Sequence, residues 1–498
     1  MATKVKLNTE DRDFFSRVGV AIFTNPFSDE NEQFSGLLSD DQVGESTTRG
    51  QFLWSLKPIL DHRIGTLDER DCSRLQQFDK ESRPLIEYGY LLQIYLRFVP
   101  NINEVIEDQL TVGSTPIKVP FANQMMTELK RRGFSQRDAE HYLALFYQLR
   151  RAYYFIHQSL VGDSPSMKDL RRALWNNVFA YDIRVYNRYL LGRMEDFSTL
   201  LLGETGTGKG SAAAAIGRSV YIPFDKDRGC FKESFADTFV AANLSQIPET
   251  LIESELFGHR KGAFTGAVDN HKGLFARCSA HGALFLDEIG DVNVSIQLKL
   301  LQVLQERTFT PVGSHTDQRF SGRVIAATNH PLVKLRKQGD FRDDFFYRLC
   351  SDEITVPTLR QRIEESHSEL EQLVNLLVSR LAGEESPSLT DMVLETFKQD
   401  LPTGYAWPGN VRELEQAIRR ILLTRHYAGD MVDDGLNQEE ALLRKIQDGN
   451  LTVAQLTADY CSLLYRQFGT YGAVAQRTQL DSRTVKKYLQ KNYDQNIS

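Results

Sequence analysis

Apolar residues recur at three- and four-residue spacing through Leu85 to Phe98 and again through Asp138 to Leu160. That period predicts amphipathic helices in both stretches. Upstream, Val18 to Phe23 is a short continuous apolar run followed by a turn-prone stretch, Thr24 to Asn31. It reads as a strand leaving into a loop. From about residue 166 the texture changes. Compact apolar runs at Leu200 to Leu202, Ala283 to Leu286 and Arg323 to Ala327 alternate with helical patterns. Such alternation predicts an α/β unit, a parallel sheet with helices on both faces. The segment Tyr427 to Glu440 is acidic and carries no apolar stripe, so it reads as linker. The remainder is helical in pattern. The expected organisation is a mainly helical N-terminal region over 1–165, an α/β core over 166–428, a linker over 429–450 and an all-α unit over 451–498.

Composition narrows the class without deciding it. The chain has 498 residues, 41% hydrophobic and 25% charged, the mix of a globular protein with about three domains. Met1 to Asp13 is polar, unlike a secretory leader. No apolar run reaches the ~18 residues that a membrane helix needs. The five cysteines are scattered with no CxxC pair, which disfavours zinc and disulfide frameworks and points to a reduced, cytoplasmic protein. The formal charge of −7 excludes wholesale coating of nucleic acid. Any DNA contact must come from a local basic surface.

The chemistry is concentrated in the α/β core. Gly203, Glu204, Thr205, Gly206, Thr207, Gly208 and Lys209 follow the strand Thr199 to Leu202 and precede the helix Ser211 to Val220. That is the strand–loop–helix setting of a phosphate-binding loop. Its glycines let backbone N–H groups curl around phosphate oxygens, the helix N-terminus adds a favourable dipole, and Lys209 neutralises the β- and γ-phosphates. Gly210 stands where such loops often carry a Ser or Thr for Mg²⁺, so the metal must lean on other groups. Those groups are Asp287 and Glu288, two carboxylates ending the apolar strand that starts at Ala283. Asp287 is expected to hold Mg²⁺, and Glu288 to polarise the water that attacks ATP.

Between these motifs lies Gly262, Ala263, Phe264, Thr265, Gly266 and Ala267. The glycines and alanines make a flexible tip, and an aromatic with no local core implies a partner contact. This hexapeptide resembles the signature loop of the sigma-54-dependent transcription activators, or bacterial enhancer-binding proteins. The resemblance spans residues 166 to 428. It implies an AAA+ ATPase with a helical lid, assembly into a hexamer or other ring oligomer, and a loop that touches sigma-54. It also implies roles for further residues. Asn243 matches the switch asparagine that bonds the catalytic glutamate, and Thr328 with Asn329 matches the first sensor. Arg342 and Arg348 match arginine fingers that reach a neighbouring subunit's γ-phosphate. Arg412, after Trp407-Pro-Gly-Asn-Val, matches the second sensor on the nucleotide. Where Gly210 stands the family usually has Glu; Ser211 completes the loop.

At the C-terminal end, Asp481 can cap a helix beginning at Ser482 that bears Arg483, Lys486 and Lys487. With the preceding short helix it forms a helix-turn-helix for double-stranded DNA, similar to the factor-for-inversion-stimulation type that ends many of these activators. Val485 and Leu489 are expected to pack inward. In the N-terminal region Val18 to Phe23 is followed by Thr24-Asn-Pro-Phe rather than acidic residues. A phosphoacceptor receiver is therefore not expected there, and an unidentified effector is. The combined expectation is an activator that hydrolyses ATP to remodel sigma-54 RNA polymerase while bound to upstream DNA. The alternative is a ligand-responsive AAA+ repressor that does not engage sigma-54.

Overall fold

The computed structural model describes residues 4–28, 49–429 and 452–495, together with Leu442 and Ile446. Among the described residues, six α-helices form the N-terminal layer: α1 (Thr9–Phe23), α2 (Arg49–Glu69), α3 (Ser82–Val112), α4 (Ala122–Arg131), α5 (Gln136–Ser159) and α6 (Pro165–Phe179). The helices expected over 85–98 and 138–160 lie within α3 and α5. The strand expected at Val18 to Phe23 is instead the last turn and a half of α1. The reason is longer in range than the run itself. Phe14, Val18 and Ala21 are buried at helical spacing, and Asn8 Oδ1 accepts the Asp11 N–H at 2.7 Å to cap the helix start.

After the short α7 (Ile183–Val185) the chain enters a five-stranded parallel sheet. Its strands are β1 (Thr199–Leu202), β4 (Phe239–Asn243), β5 (Ala283–Asp287), β8 (Arg323–Thr328) and β9 (Asp352–Thr355), in the order β4-β5-β8-β1-β9. Two small antiparallel pairs lie outside it: β2 (Phe224–Asp225) with β3 (Cys230–Phe231), and β6 (Thr308–Phe309) with β7 (Gln318–Arg319). The helices between strands are α8 (Lys209–Gly217), α9 (Glu249–Phe257), α10 (Leu274–Arg277), α11 (Val294–Glu306), α12 (Leu332–Gln338) and α13 (Asp343–Leu349). A helical lid follows: α14 (Leu359–Glu365), α15 (Glu369–Ala382), α16 (Pro387–Asp400) and α17 (Asn410–Thr424). A parallel α/β core followed by a helical lid is the architecture expected for residues 166–428. Because every pairing is parallel, all five strands end on one edge, with Leu202 beside Thr328 and Asn243 beside Asp287. Ligands bind at that edge in open α/β sheets.

The N-terminal layer and the sheet share one apolar core, in which Leu143, Leu174 and Phe179 join Ile216, Phe285 and Ile325. Residues 1–425 accordingly form one compact unit. The expected boundary at 165/166 falls at the first residue of α6, within this one compact unit. Polar contacts reinforce the junction. The fully buried Arg151 of α5 donates to the carbonyls of Arg218 (2.8 Å) and Val220 (2.7 Å), just beyond α8. Gln148 donates to Ser219 O at 2.9 Å. On α6, Asn177 meets Thr199 and Asp352, and Arg323 donates to Asn177 O and Oδ1.

The lid is tied to the same layer through a buried ion pair. Arg362 Nε donates to Glu369 Oε1 at 2.6 Å, with both side chains almost wholly excluded from solvent. Glu369 also accepts the N–H groups of Asp163 (2.9 Å) and Ser164 (3.2 Å). Gly162, at φ +132°, leaves room for it; a Cβ there would lie 2.0 Å from the carboxylate.

The second unit holds α18 (Val453–Phe468), α19 (Tyr471–Thr478) and α20 (Ser482–Gln495) around Cys461, Leu464, Val474 and Val485. Leu489 packs on this core, as expected. Most of the expected linker over 429–450 lies outside the described residues.

The Arg362–Glu369 pair yields a stability prediction. Glu369→Ala leaves a buried guanidinium and two N–H groups without their acceptor, and removing one partner of such a pair costs about 3–5 kcal/mol. Chemical denaturation should register a loss of that size, whereas the exposed Glu415→Ala should shift stability by less than about 0.5 kcal/mol.

Candidate functional site

The glycine-rich loop expected to bind phosphate runs from the end of β1 to the start of α8. Gly203, Gly206 and Gly208 adopt φ of +157°, +80° and +103°. At Gly206 the requirement is also steric: a Cβ would lie 2.2 Å from Gly409 O. Lys209 is buried within the loop, its ammonium donating to Gly203 O (2.8 Å) and Glu204 O (3.1 Å). Burial pushes its pKa down, Glu288 and Asp287 pull it up, and the positive charge of Arg412 pushes it down again; the balance is a lowered value. These four charges therefore share one site. Thr207 is buried and donates to Glu204 O at 2.9 Å, while Gly210 and Ser211 are exposed on the first turn of α8.

On the neighbouring strands, Asp287 ends β5 and Glu288 follows in a left-handed conformation, φ +54°. Asp287 Oδ1 accepts the Glu288 N–H at 3.1 Å, and its other oxygen meets no donor among the described residues. Glu288 Oε2 accepts the Asn329 N–H at 3.2 Å, and Asn329 Nδ2 donates to Thr205 Oγ1 at 2.8 Å. Thr328 Oγ1 takes the His330 N–H. Asn243 behaves differently from what the resemblance implied. Its side-chain oxygen accepts from Ser245 N (3.1 Å) and Ser245 Oγ (2.7 Å), and Glu288 is held by Asn329 instead. The cause is local: Asn243 caps the short 3₁₀ turn Leu244–Gln246.

Two residues without an expected role complete the cradle. Asn410, fully buried at φ +54°, donates to Glu204 Oε2 and Thr205 O (both 3.1 Å) and accepts the Leu359 N–H at 2.8 Å. Arg360 pairs with Glu204 at 2.5 Å. Both tie the lid to the glycine-rich loop. The Val411 N–H donates to Gly206 O at 3.1 Å, and Arg412 beside it is exposed. The only sequence hint was the Pro-Gly turn preceding Asn410.

Arg342 immediately precedes α13 and Arg348 lies in its last turn, both away from this cradle's hydrogen bonds. Arg342 is paired with Asp344 (3.0 and 2.7 Å), whose carboxyl it holds below its ordinary value. Arg348 donates twice to Leu304 O, at 3.0 and 2.8 Å. Between them, Tyr347 is 71% exposed.

The loop Gly262–Ala267 projects from a cross-braced base. His259 and His271 exchange backbone hydrogen bonds (3.1 and 2.9 Å), and Val312 bridges Gly258 and Arg260. Gly262 N–H closes the tip on Ala267 O at 2.8 Å, with Gly262 and Gly266 at φ +81° and +103°. Ala267 is buried and Ala263 half-buried, whereas Thr265 is exposed. Phe264 is 39% exposed, its ring edge-on to His259 at 4.9 Å. In the C-terminal unit, Asp481 Oδ1 accepts the Arg483 N–H at 2.8 Å, and Ser482, Arg483, Lys486 and Lys487 all face solvent.

Comparison with known proteins agrees with this geometry. The family model of the Sigma-54 interaction domain matches residues 184–355. The chain is 38% identical over 286 residues to the DNA-binding transcriptional regulator NtrC of Azospirillum brasilense, covering 57% of this chain and 51% of that protein. It is 39% identical over 226 residues to the regulatory protein AtoC of Escherichia coli, 45% of each chain. It is 41% identical over 226 residues to the nitrogen fixation protein VnfA of Azotobacter vinelandii, 45% of this chain and 40% of that one. The chain thus spans about half the length of the curated relatives it matches. Residues 184–355 resemble the Sigma-54 interaction domain, within a chain similar over about half its length to these regulators.

Proposed function

We propose that this chain is a sigma-54-dependent transcription activator that turns ATP hydrolysis into remodelling of sigma-54 RNA polymerase at promoters. The observation that carries the reading is an exposed Phe264–Thr265 tip built into the same AAA+ unit as Lys209, Asp287 and Glu288. Lys209 gives up its two loop carbonyls to phosphate oxygens, and the N–H groups at the start of α8 receive the remaining charge. Glu288 orients and activates the attacking water. Asp287, with one open oxygen, would hold Mg²⁺. Since Gly210 offers no hydroxyl, water and phosphate would fill the other positions, as that ion's chemistry favours. A bound Mg²⁺ supplies positive charge at the phosphate oxygens.

Asn329 is the γ-phosphate sensor in this scheme, because it already links Glu288 to Thr205. Asn243 would join it by turning from Ser245 toward Glu288. Movement passes outward along α11, whose cap Asn293 bonds Glu249 of α9 at 2.7 Å, and α9 leads directly into the projecting loop. The chain acts as a ring oligomer. Arg342 reaches a neighbour's γ-phosphate after leaving Asp344, and Arg348 supports it after leaving Leu304 O. Such fingers stabilise charge that develops on the transferred phosphoryl group. The helix-turn-helix binds upstream double-stranded DNA through α20, and the protein works in the cytoplasm. No helix among the described residues is long and apolar enough to cross a membrane.

The loop assigns contact and chemistry to different residues. Thr265→Ala should hydrolyse ATP within about twofold of the wild type and still assemble, yet lose open-complex formation by an order of magnitude or more. ATPase and promoter-opening assays on one preparation test this. Normal promoter opening by Thr265→Ala would remove the loop from the mechanism.

Steric demand distinguishes two glycines of the nucleotide loop. Gly206→Ala must displace Gly409 O and should weaken nucleotide binding by about tenfold or more. Gly210→Ala meets no heavy atom within 4 Å; it should bind nucleotide normally and gain up to about 1 kcal/mol of stability. Titration with a fluorescent ATP analogue separates the two.

In the DNA unit, Arg483→Ala should weaken binding to the cognate site more than to random DNA if it reads a base edge. Lys487→Ala should weaken both and lower the salt slope by about one if it meets phosphate. Electrophoretic mobility shifts across a salt series would show the difference; equal loss of specificity in both variants would contradict the assignment.

A further inference from the structure

The N-terminal layer holds a partly open cavity of about 310 Å³ between α1, α2, α3, α5 and α6. That is the lower end of the size range of small-molecule sites. Its wall is aromatic and aliphatic, with Trp54, Phe146, Leu149 and Trp175 prominent. Among the polar groups in that lining are Arg150 and Tyr95. Arg150 donates its Nε–H to Asn103 Oδ1 at 2.5 Å and lies over the Tyr153 ring at 5.0 Å. Among the described residues it has no carboxylate partner, and it borders the same space as the apolar side chains. The Tyr95 hydroxyl beside it makes no hydrogen bond among the described residues. Burial pushes that phenol's pKa up while the Arg150 charge pulls it down, and the raised balance keeps it a donor. An apolar cavity with a cation and a phenolic donor at one place is complementary to one class of small molecule.

We propose that this cavity binds a small apolar carboxylate, its ring or chain between Trp54, Phe146 and Trp175 and its carboxylate on Arg150 and Tyr95. The site lies one residue from the nucleotide machinery. Arg150 and Leu149 face the cavity, while their neighbours Gln148 and Arg151 hold the carbonyls just beyond α8. Trp175 lines the cavity two residues before Asn177, which bonds β1 and β9. Occupancy therefore alters ATP turnover through α5 and α6; this regulatory half rests on the ATPase reading above, whereas the binding half does not.

The test uses the full chain, with 3-phenylpropionate as probe and the neutral 3-phenylpropan-1-ol as its control. Isothermal titration and tryptophan fluorescence, which Trp54 and Trp175 should report, measure binding without reference to ATP. The acid should bind saturably and at least about tenfold more tightly than the alcohol. Arg150→Gln should erase that preference by weakening the acid alone, and Arg150→Lys should retain part of it. No saturable binding of the acid below about 10 mM, equal binding of acid and alcohol, or unchanged acid affinity in Arg150→Gln would overturn the site. In a separate ATPase assay the acid should change kcat or KM by about twofold or more in the wild type and not in Arg150→Gln. Saturable binding with unaltered turnover would overturn the coupling alone, and absence of any ATPase activity would count against the functional reading rather than the site.

Discussion

Arg151 is wholly buried, and its charge is met by two backbone carbonyls rather than by a carboxylate. Taking a guanidinium out of water is costly unless its donors are used. Here burial lowers its pKa only to about 10, so it stays charged at neutral pH. The carbonyls it holds lie just past the C-terminal end of α8, where the helix dipole favours a cation. The rings of Tyr147 and Phe235 lie beside its guanidinium at 4.6 and 5.5 Å. α8 begins at Lys209, so one end of this helix carries the glycine-rich loop while the other is fixed to the N-terminal layer. A shift of the nucleotide loop along that axis must move α5 or break these bonds.

The same constraint explains how the site is divided. The parallel sheet brings Asp287, Glu288, Thr328 and Asn329 to one edge by register alone. The lid then closes on that edge through Asn410 and Arg360, both gripping Glu204. Further from the edge, the braced hairpin carries Phe264 and Thr265 into solvent. The carboxylates at the sheet edge, the lid contacts and the exposed loop tip thus use different residues of one compact unit.

Much of the core was legible because its signals are local. Three apolar runs each proved to be a strand, and the loop from Gly203 to Lys209 needed only its flanking strand and helix to be placed. Other features depend on partners far along the chain. Asn410 and Arg360 act on Glu204, 206 and 156 positions away, and neither spacing nor residue type marks such a contact. Val18 to Phe23 misled for the opposite reason: a six-residue apolar window hid a helical period that begins at Phe14. The resemblance implied a bond between Asn243 and Glu288, whereas capping by Ser245 competes for the same oxygen. The continuous core between the N-terminal layer and the sheet was not legible either, because it is made by residues such as Leu143 and Ile216 that each look merely apolar.

The account's central claim is that ATP turnover at the sheet edge drives the exposed loop onto sigma-54. The most direct measurement is co-purification of the full chain with sigma-54 in ADP and aluminium fluoride, which together mimic the transferring phosphoryl group. The account predicts a stable complex that forms with this mimic and not with ADP alone, and that is lost when Glu288 or Phe264 is replaced by Ala. Failure to trap sigma-54 with an otherwise active ATPase, or trapping that is indifferent to the nucleotide, would contradict it.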